Sequence, residues 1–185
     1  SKMVDQPSNI IYEALVESKD MLSIDAYFEQ TKALLLRAVD EQNIELVQKL
    51  LEEHLLSFVI GDYSYKVFYL LKELESFFKC HARYLLSVYY RLLGHTLYFR
   101  FENEKANYYY KFAISHSLEN KDYVGLATSM NNFTLKDFHA LSEEAGLTIA
   151  KSIPLLLKNG NRYTMYDLIS KLFFYIEFAI LQGKV

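Results

Sequence analysis

The 185-residue chain has little of several residue types: one cysteine, two prolines, six glycines and no tryptophan. A single cysteine excludes an internal disulfide framework and a cysteine-rich zinc module. The few glycines and prolines exclude collagen-like and low-complexity chains, and they argue against an all-β sandwich with many tight turns. No apolar run reaches the roughly 18 residues that a membrane span needs, and no secretion signal is recognisable at the start. We therefore expect a cytoplasmic protein that does not enter a membrane.

The chain also has only a small excess of one sign of charge, because its 20 Lys and Arg residues nearly balance its 23 Asp and Glu residues. The formal net charge of −3 gives no overall basic field that would attract nucleic acid. The charge is nevertheless uneven, at −6 over residues 1–60, +2 over 61–120 and +1 over 121–185. Basic residues alternate with tyrosines in the middle third. This pattern favours a surface for an acidic peptide or protein, and we expect no nucleic-acid partner.

Aromatic residues are abundant, with 16 Tyr and 13 Phe. Tyrosine has a large apolar ring and one polar tip, so it suits half-buried positions between packed helices. It equally suits a surface that contacts a ligand. Composition alone leaves both interpretations open.

Apolar residues recur at helical spacing along almost the whole chain, and no segment shows the strict alternation of a half-buried strand. The sequence therefore predicts an all-α fold. Asn43, Gly61-Asp62 and Asn159-Gly160-Asn161 mark breaks, and two helices that follow Tyr63 should meet near residues 79–82. The predicted helices span residues 8–18, 24–41, 44–59, the two on either side of 79–82, 104–119, 122–134, about 136–145, 147–158 and 163–182.

The predicted turns near Cys80, Asn120 and Gly160 are evenly spaced along the chain. When the sequence is compared with itself at an offset of 40 residues, Asn120 aligns with Gly160, Tyr123 with Tyr163 and Lys111 with Lys151. A regular spacing of about 40 residues between turns predicts stacked helix hairpins.

Residues 92–133 resemble a tetratricopeptide repeat (TPR). Leu93-Gly94 stands where that family has its Leu-Gly pair, Ala106 and Ala113 occupy its small positions, and Tyr110 occupies its aromatic position. Small residues let the two helices of a hairpin approach, and the aromatic ring fills the space beside them. The chain departs from the family in lacking its tryptophan and its closing proline. Its spacing between turns is also longer than the roughly 34 residues usual in that family.

This resemblance implies a single TPR-like domain over residues 1–185, folded as a right-handed superhelix of stacked antiparallel hairpins. The nearest resemblance is to the divergent repeats in regulatory regions of Gram-positive bacterial signalling proteins. It implies a non-enzymatic module that binds a protein or peptide in a concave groove, or senses a signal, and so regulates an appended output domain. Two alternatives stay open: a receptor for a small signal molecule or secreted peptide, and an enzyme on a helical scaffold.

The groove prediction depends mainly on asparagine, because side-chain amides on an inward-facing helix can hydrogen-bond a peptide backbone whatever its sequence. The same asparagines could instead bond between helices. The residues predicted to contact a partner are Asn131, Asn132, Tyr89, Arg91, Tyr109 and Lys111.

No catalytic residue, metal ligand or cofactor is predicted. No two histidines stand three or four residues apart, so the sequence shows no helical zinc site. His139 and Glu143 are four residues apart and fit either an exposed hydrogen-bonded pair or a catalytic or metal pair. Cys80 fits a structural role at a turn better than a reactive one.

The last predicted helix, residues 163–182, is apolar around most of its circumference. A capping helix should instead present a polar outer face. We therefore expect that the chain is part of a longer protein, or that it forms a homodimer through this helix.

Overall fold

A computed structural model describes residues 7–132 together with the isolated positions Lys158, Tyr166, Ile169 and Ser170. The elements it contains are helices and helical turns, with no strand among the described residues, which confirms the all-α prediction for this part of the chain. The predicted helices 136–145, 147–158 and 163–182, the turn near residue 160 and the His139–Glu143 pair lie outside the described residues. The chain divides into two compact units, one ending at Leu85 and the other beginning at Leu86.

The first unit is built from helices joined by short turns. The interval predicted as one helix from 44 to 59 is helical as far as Phe58, but the type of helix changes along it. The α-helix α3 continues into a π-helical turn, Leu50–His54, and then into a 3₁₀ turn, Leu55–Phe58. The predicted helix after Tyr63 is interrupted at Leu74, and the break expected near 79–82 falls at Ala82. The α-helices are α1 (Pro7–Ser18), α2 (Ile24–Asp40), α3 (Ile44–Lys49), α4 (Ser64–Glu73) and α5 (Glu75–His81).

Local polar groups explain where these helices begin. The side chain of Ser23 accepts a hydrogen bond from the amide of Ala26 and caps α2. Asn43 caps α3 in the same way, through Leu46, as its position in the sequence predicted. The buried apolar side of the helices then closes around the rings of Phe28 and Phe58, whose centroids are 5.1 Å apart.

The second unit contains α6 (Leu86–Tyr98), α7 (Asn103–Asn120) and α8 (Tyr123–Asn131) in its described part. Consecutive helices α6 and α7 pack along their lengths as an antiparallel hairpin, and α8 packs on α7. Every residue of α6 from Leu86 to Leu97 is buried except Arg91. A helix that is buried on nearly all sides is a central element, and even its polar residues Ser87 and His95 are buried.

Three turns share one geometry, although none contains glycine. Gln42, Phe101 and Lys121 each take a left-handed conformation within three residues of the end of a helix, with φ of 52°, 62° and 57°. In each turn the next amide donates to the carbonyl five residues earlier at 2.8–3.0 Å, the pairing of a Schellman motif. The turn at Lys121 fits the predicted break near 120. Ala82 instead has φ of −143°, so the breaks near 80 and 120 differ in geometry.

Candidate functional site

The α6–α7 hairpin is closed by a direct contact between Gly94 and Tyr110. A Cβ atom placed on Gly94 would lie 2.5 Å from the ring of Tyr110. Ala106 and Ala113, on either side of Tyr110, are fully buried. Gly94 therefore makes the close helix approach that the sequence predicted, with the tyrosine ring filling the adjacent space.

The Tyr110 hydroxyl lies in a buried polar network that joins three helices. It is 2.7 Å from Nδ1 of His95 on α6, and it accepts a hydrogen bond from the amide of Asn132 at 3.1 Å. Burial, with a smaller contribution from the charge of Arg91, lowers the pKa of His95 from its ordinary 6.5 to about 4. Burial raises the pKa of Tyr110. Both groups are therefore uncharged at neutral pH, and they share a neutral hydrogen bond.

The two predicted asparagines end α8. Asn132 is half-buried, and its amide bonds to Tyr110 and lies 3.2 Å from Nδ1 of His95. The structure thus places Asn132 in an inter-helix hydrogen bond, which is the alternative that the sequence left open. Asn131 is the last residue of α8, and its side chain lies outside the described part.

Tyr89 and Arg91, two of the predicted partner contacts, lie in the packed interior of the second unit. Tyr89 is fully buried, with its ring edge-on to that of Tyr90 at 5.1 Å. The Arg91 side chain is only 15% exposed, and its guanidinium lies 3.9 Å from the carboxylate of Asp122. That carboxylate also accepts from the amide of Gly125 and caps α8. Arg91 therefore ties α6 to the start of α8.

The other two predicted residues lie on or beside the outer side of α7, which carries exposed aromatic rings. Tyr108 is 57% exposed and Phe112 is 39% exposed, and their rings meet edge to face at 5.1 Å. Lys111 is exposed between them, and Tyr109 is half-buried against Tyr108. We call this surface the α7 face and define it by six exposed residues: Lys105, Tyr108, Lys111, Phe112, Ser115 and Glu119.

Sequence reasoning did not single out Phe112 or rank Tyr108 above the other tyrosines. A signal was present, because these two residues are four apart and lie on the opposite side of α7 from the family-like Ala106, Tyr110 and Ala113. Once the small positions are taken as the inner side of a helix, the large residues between them must face outward.

A second buried histidine lies in the first unit. The ring nitrogens of His54 are 2.6 Å from the Tyr27 hydroxyl and 3.2 Å from the Tyr12 hydroxyl, and Tyr12 in turn donates to Glu53 at 2.9 Å. The π-helical turn that ends at His54 places it there. Burial lowers the pKa of His54, and burial together with the bond to Glu53 raises the pKa of Tyr12 to about 12. The cluster ties α1 and α2 to the π-helical turn that follows α3.

A groove of about 460 Å³ runs beside this cluster between α1 and α3. Tyr12, Glu13, Glu45 and Lys49 contribute to its walls. Its size falls within the usual range of small-molecule sites. Over the described ranges, no group of three or more His, Cys, Asp or Glu residues is arranged to hold a metal ion.

No family model, curated protein or solved structure matches this chain. The resemblance of residues 92–133 to a tetratricopeptide repeat therefore stays a prediction. Within the described part of the chain, no helix has the length and apolar character required to cross a membrane.

Proposed function

We propose that this chain is a non-enzymatic helical interaction module that binds a protein or peptide through the α7 face. The observation that carries the proposal is the exposed edge-to-face pair of Tyr108 and Phe112. Large aromatic rings on a helix surface supply much contact area at a small cost in side-chain entropy, and they are enriched at the centres of interfaces.

The inner side of α7 supports this proposal, because it fixes the helix that presents the two rings. Gly94 and Tyr110 lock α7 against α6, and Tyr110 extends the contact to Asn132 at the end of α8. A partner on the outer face therefore meets a preorganised surface. Lys105 lies beside the rings and suits an acidic group on that partner.

The same connections provide a route by which binding could regulate an appended domain. A shift of α7 on binding would move Tyr110, which contacts Gly94 and His95 on α6 and Asn132 at the end of α8. We extend the proposal accordingly to a TPR-like superhelix in a cytoplasmic bacterial signalling protein, in which such shifts between hairpins change the output. This extension depends on the resemblance of residues 92–133.

A selection from a phage-displayed random peptide library on the immobilised full chain tests the binding function. The affinities of selected peptides are then measured by fluorescence anisotropy against the wild-type chain and the variant Tyr108→Ala/Phe112→Ala. The matched control is Tyr65→Ala/Tyr69→Ala, since these tyrosines of α4 are also exposed and four residues apart. We expect the α7 variant to lose about tenfold or more in affinity, and the α4 variant to bind like the wild type.

Two results would contradict the proposal. One is a selection that enriches no peptide above a surface without protein. The other is a set of peptides that bind the α7 variant as tightly as the wild type. Circular dichroism of both variants confirms that the comparison is made between folded proteins.

A further inference from the structure

We infer that the partner of the α7 face is a second copy of this chain, docked with the two α7 helices antiparallel. The inference rests on the proposed function and names its partner. It is carried by the order of charges and rings along the exposed side of α7.

The α7 face has a cation near one end, an anion near the other and an aromatic centre. Lys105 and Glu119 lie seven residues before and after Phe112, which is two helical turns or about 10 Å in each direction. Their side chains are 73% and 69% exposed. The α7 face therefore has a positive and a negative charge at equal distances from Phe112.

In an antiparallel pair of α7 helices, the charges of one copy are complementary to those of the other. Rotation about a twofold axis at Phe112 sets Lys105 of each copy opposite Glu119 of the other, so that two ion pairs form. A parallel copy would set like charges opposite each other, which is unfavourable. The charge pattern thus selects the antiparallel arrangement.

The aromatic residues occupy the centre of the same arrangement. The two Phe112 rings meet at the axis, and a Tyr108 ring lies on either side, which removes these rings from water. Lys111 is one residue from the axis but points to the side of the stripe, where its ammonium group stays hydrated.

The existing contacts of Lys105 and Glu119 do not oppose this docking. Lys105 lies 3.4 Å from Glu102, and Glu119 lies 3.7 Å from His116. Pairs with an exposed partner contribute little to stability, so the charged ends can exchange one partner for another. Because a single helix face buries less area than a standard interface, we expect a dimer with a dissociation constant in the micromolar range.

Charge reversal tests the arrangement directly, by sedimentation equilibrium of the full chain over a range of concentrations. We expect Lys105→Glu and Glu119→Lys each to weaken the dimer by about tenfold or more. The double variant Lys105→Glu/Glu119→Lys should restore it, since the reversed charges again pair. The control is Lys79→Glu on α5, because Lys79 is also exposed and also lies 3.4 Å from a glutamate of its own helix.

A wild-type chain that stays monomeric at every attainable concentration overturns the inference. So does a dimer that the single variants leave intact, or one that the double variant fails to restore. These outcomes are separate from those of the peptide selection. Peptides that require Tyr108 and Phe112 would support the proposed function even with a monomeric chain, and charge-reversal rescue would support self-association even if no peptide is selected.

Discussion

The ring of Tyr110 occupies the space that a side chain on Gly94 would need, at 2.5 Å from the position of its Cβ atom. Two helices can approach this closely only where one of them has no side chain. The contact matters beyond its area, because Tyr110 also bonds to His95 and Asn132. Displacing its ring would strain the packing and the polar network together.

Replacing Gly94 by alanine should therefore destabilise the protein, even though alanine favours a helix more than glycine does. We expect a loss of about 1–3 kcal/mol in the free energy of unfolding, the usual range for an overpacked core position. Urea titration followed by circular dichroism measures it. Ser115→Ala, a small exposed change on α7, serves as control and should stay within about 0.5 kcal/mol of the wild type. An unchanged midpoint for Gly94→Ala would show that the hairpin relaxes freely at this contact.

Stability should fall in mild acid because His95 is buried uncharged. Its pKa is about 4 in the folded chain and near 6.5 when unfolded, so the unfolded chain binds more protons between these values. The contribution of neutral His95 to the free energy of unfolding is fully present above pH 6.5 and is lost as the pH falls to about 4. From pH 7 to pH 5 we expect the free energy of unfolding to fall by roughly 2 kcal/mol. His54, whose pKa is also lowered, acts in the same direction.

Comparison of urea titrations at pH 7 and pH 5 checks this dependence. The variant His95→Gln should show a distinctly smaller difference between the two pH values, because it has no group to protonate at this site. Ser115→Ala changes an exposed residue that does not titrate and should keep the wild-type difference. An identical pH dependence for wild type and His95→Gln would refute the assignment.

The turn between α7 and α8 should gain stability from glycine. Lys121 has φ of 57°, a conformation that is strained for residues with a Cβ atom. Lys121→Gly should raise the free energy of unfolding by about 0.5–1 kcal/mol, the strain relief less the added entropy of the unfolded chain. Lys111→Gly, in the middle of α7, should lower the free energy of unfolding by a similar amount. Thermal unfolding of both variants gives the comparison, and a shift of the same sign in both would contradict it.

The sequence predicted the hairpin well because its evidence was local. Apolar spacing located α6 and α7, and the small residues Gly94, Ala106 and Ala113 identified the sides that meet. The polar cap at Asn43 and the break near Ala82 were also visible, since each depends on residues a few positions apart.

Other features depend on neighbours that are distant in sequence. His54 and Tyr12 are 42 residues apart, and His95 and Asn132 are 37 apart, so no pattern in one helix reveals either network. Tyr89 and Tyr108 are chemically identical, and only the packing around α6 makes one a core residue and the other a surface residue. The left-handed residues at 42, 101 and 121 were missed because glycine, their usual signal, is absent.

The burial of α6 on nearly every side has a consequence for how the chain is made. As it leaves the ribosome, α6 exposes many apolar and aromatic side chains, and Arg91 is its only Lys, Arg, Asp or Glu residue. Its nearest cover, α7, begins only five residues after α6 ends, and contacts so close in sequence form fast. We therefore expect the short link to α7 to limit the aggregation of newly synthesised protein, because it shortens the interval in which the apolar residues of α6 are uncovered.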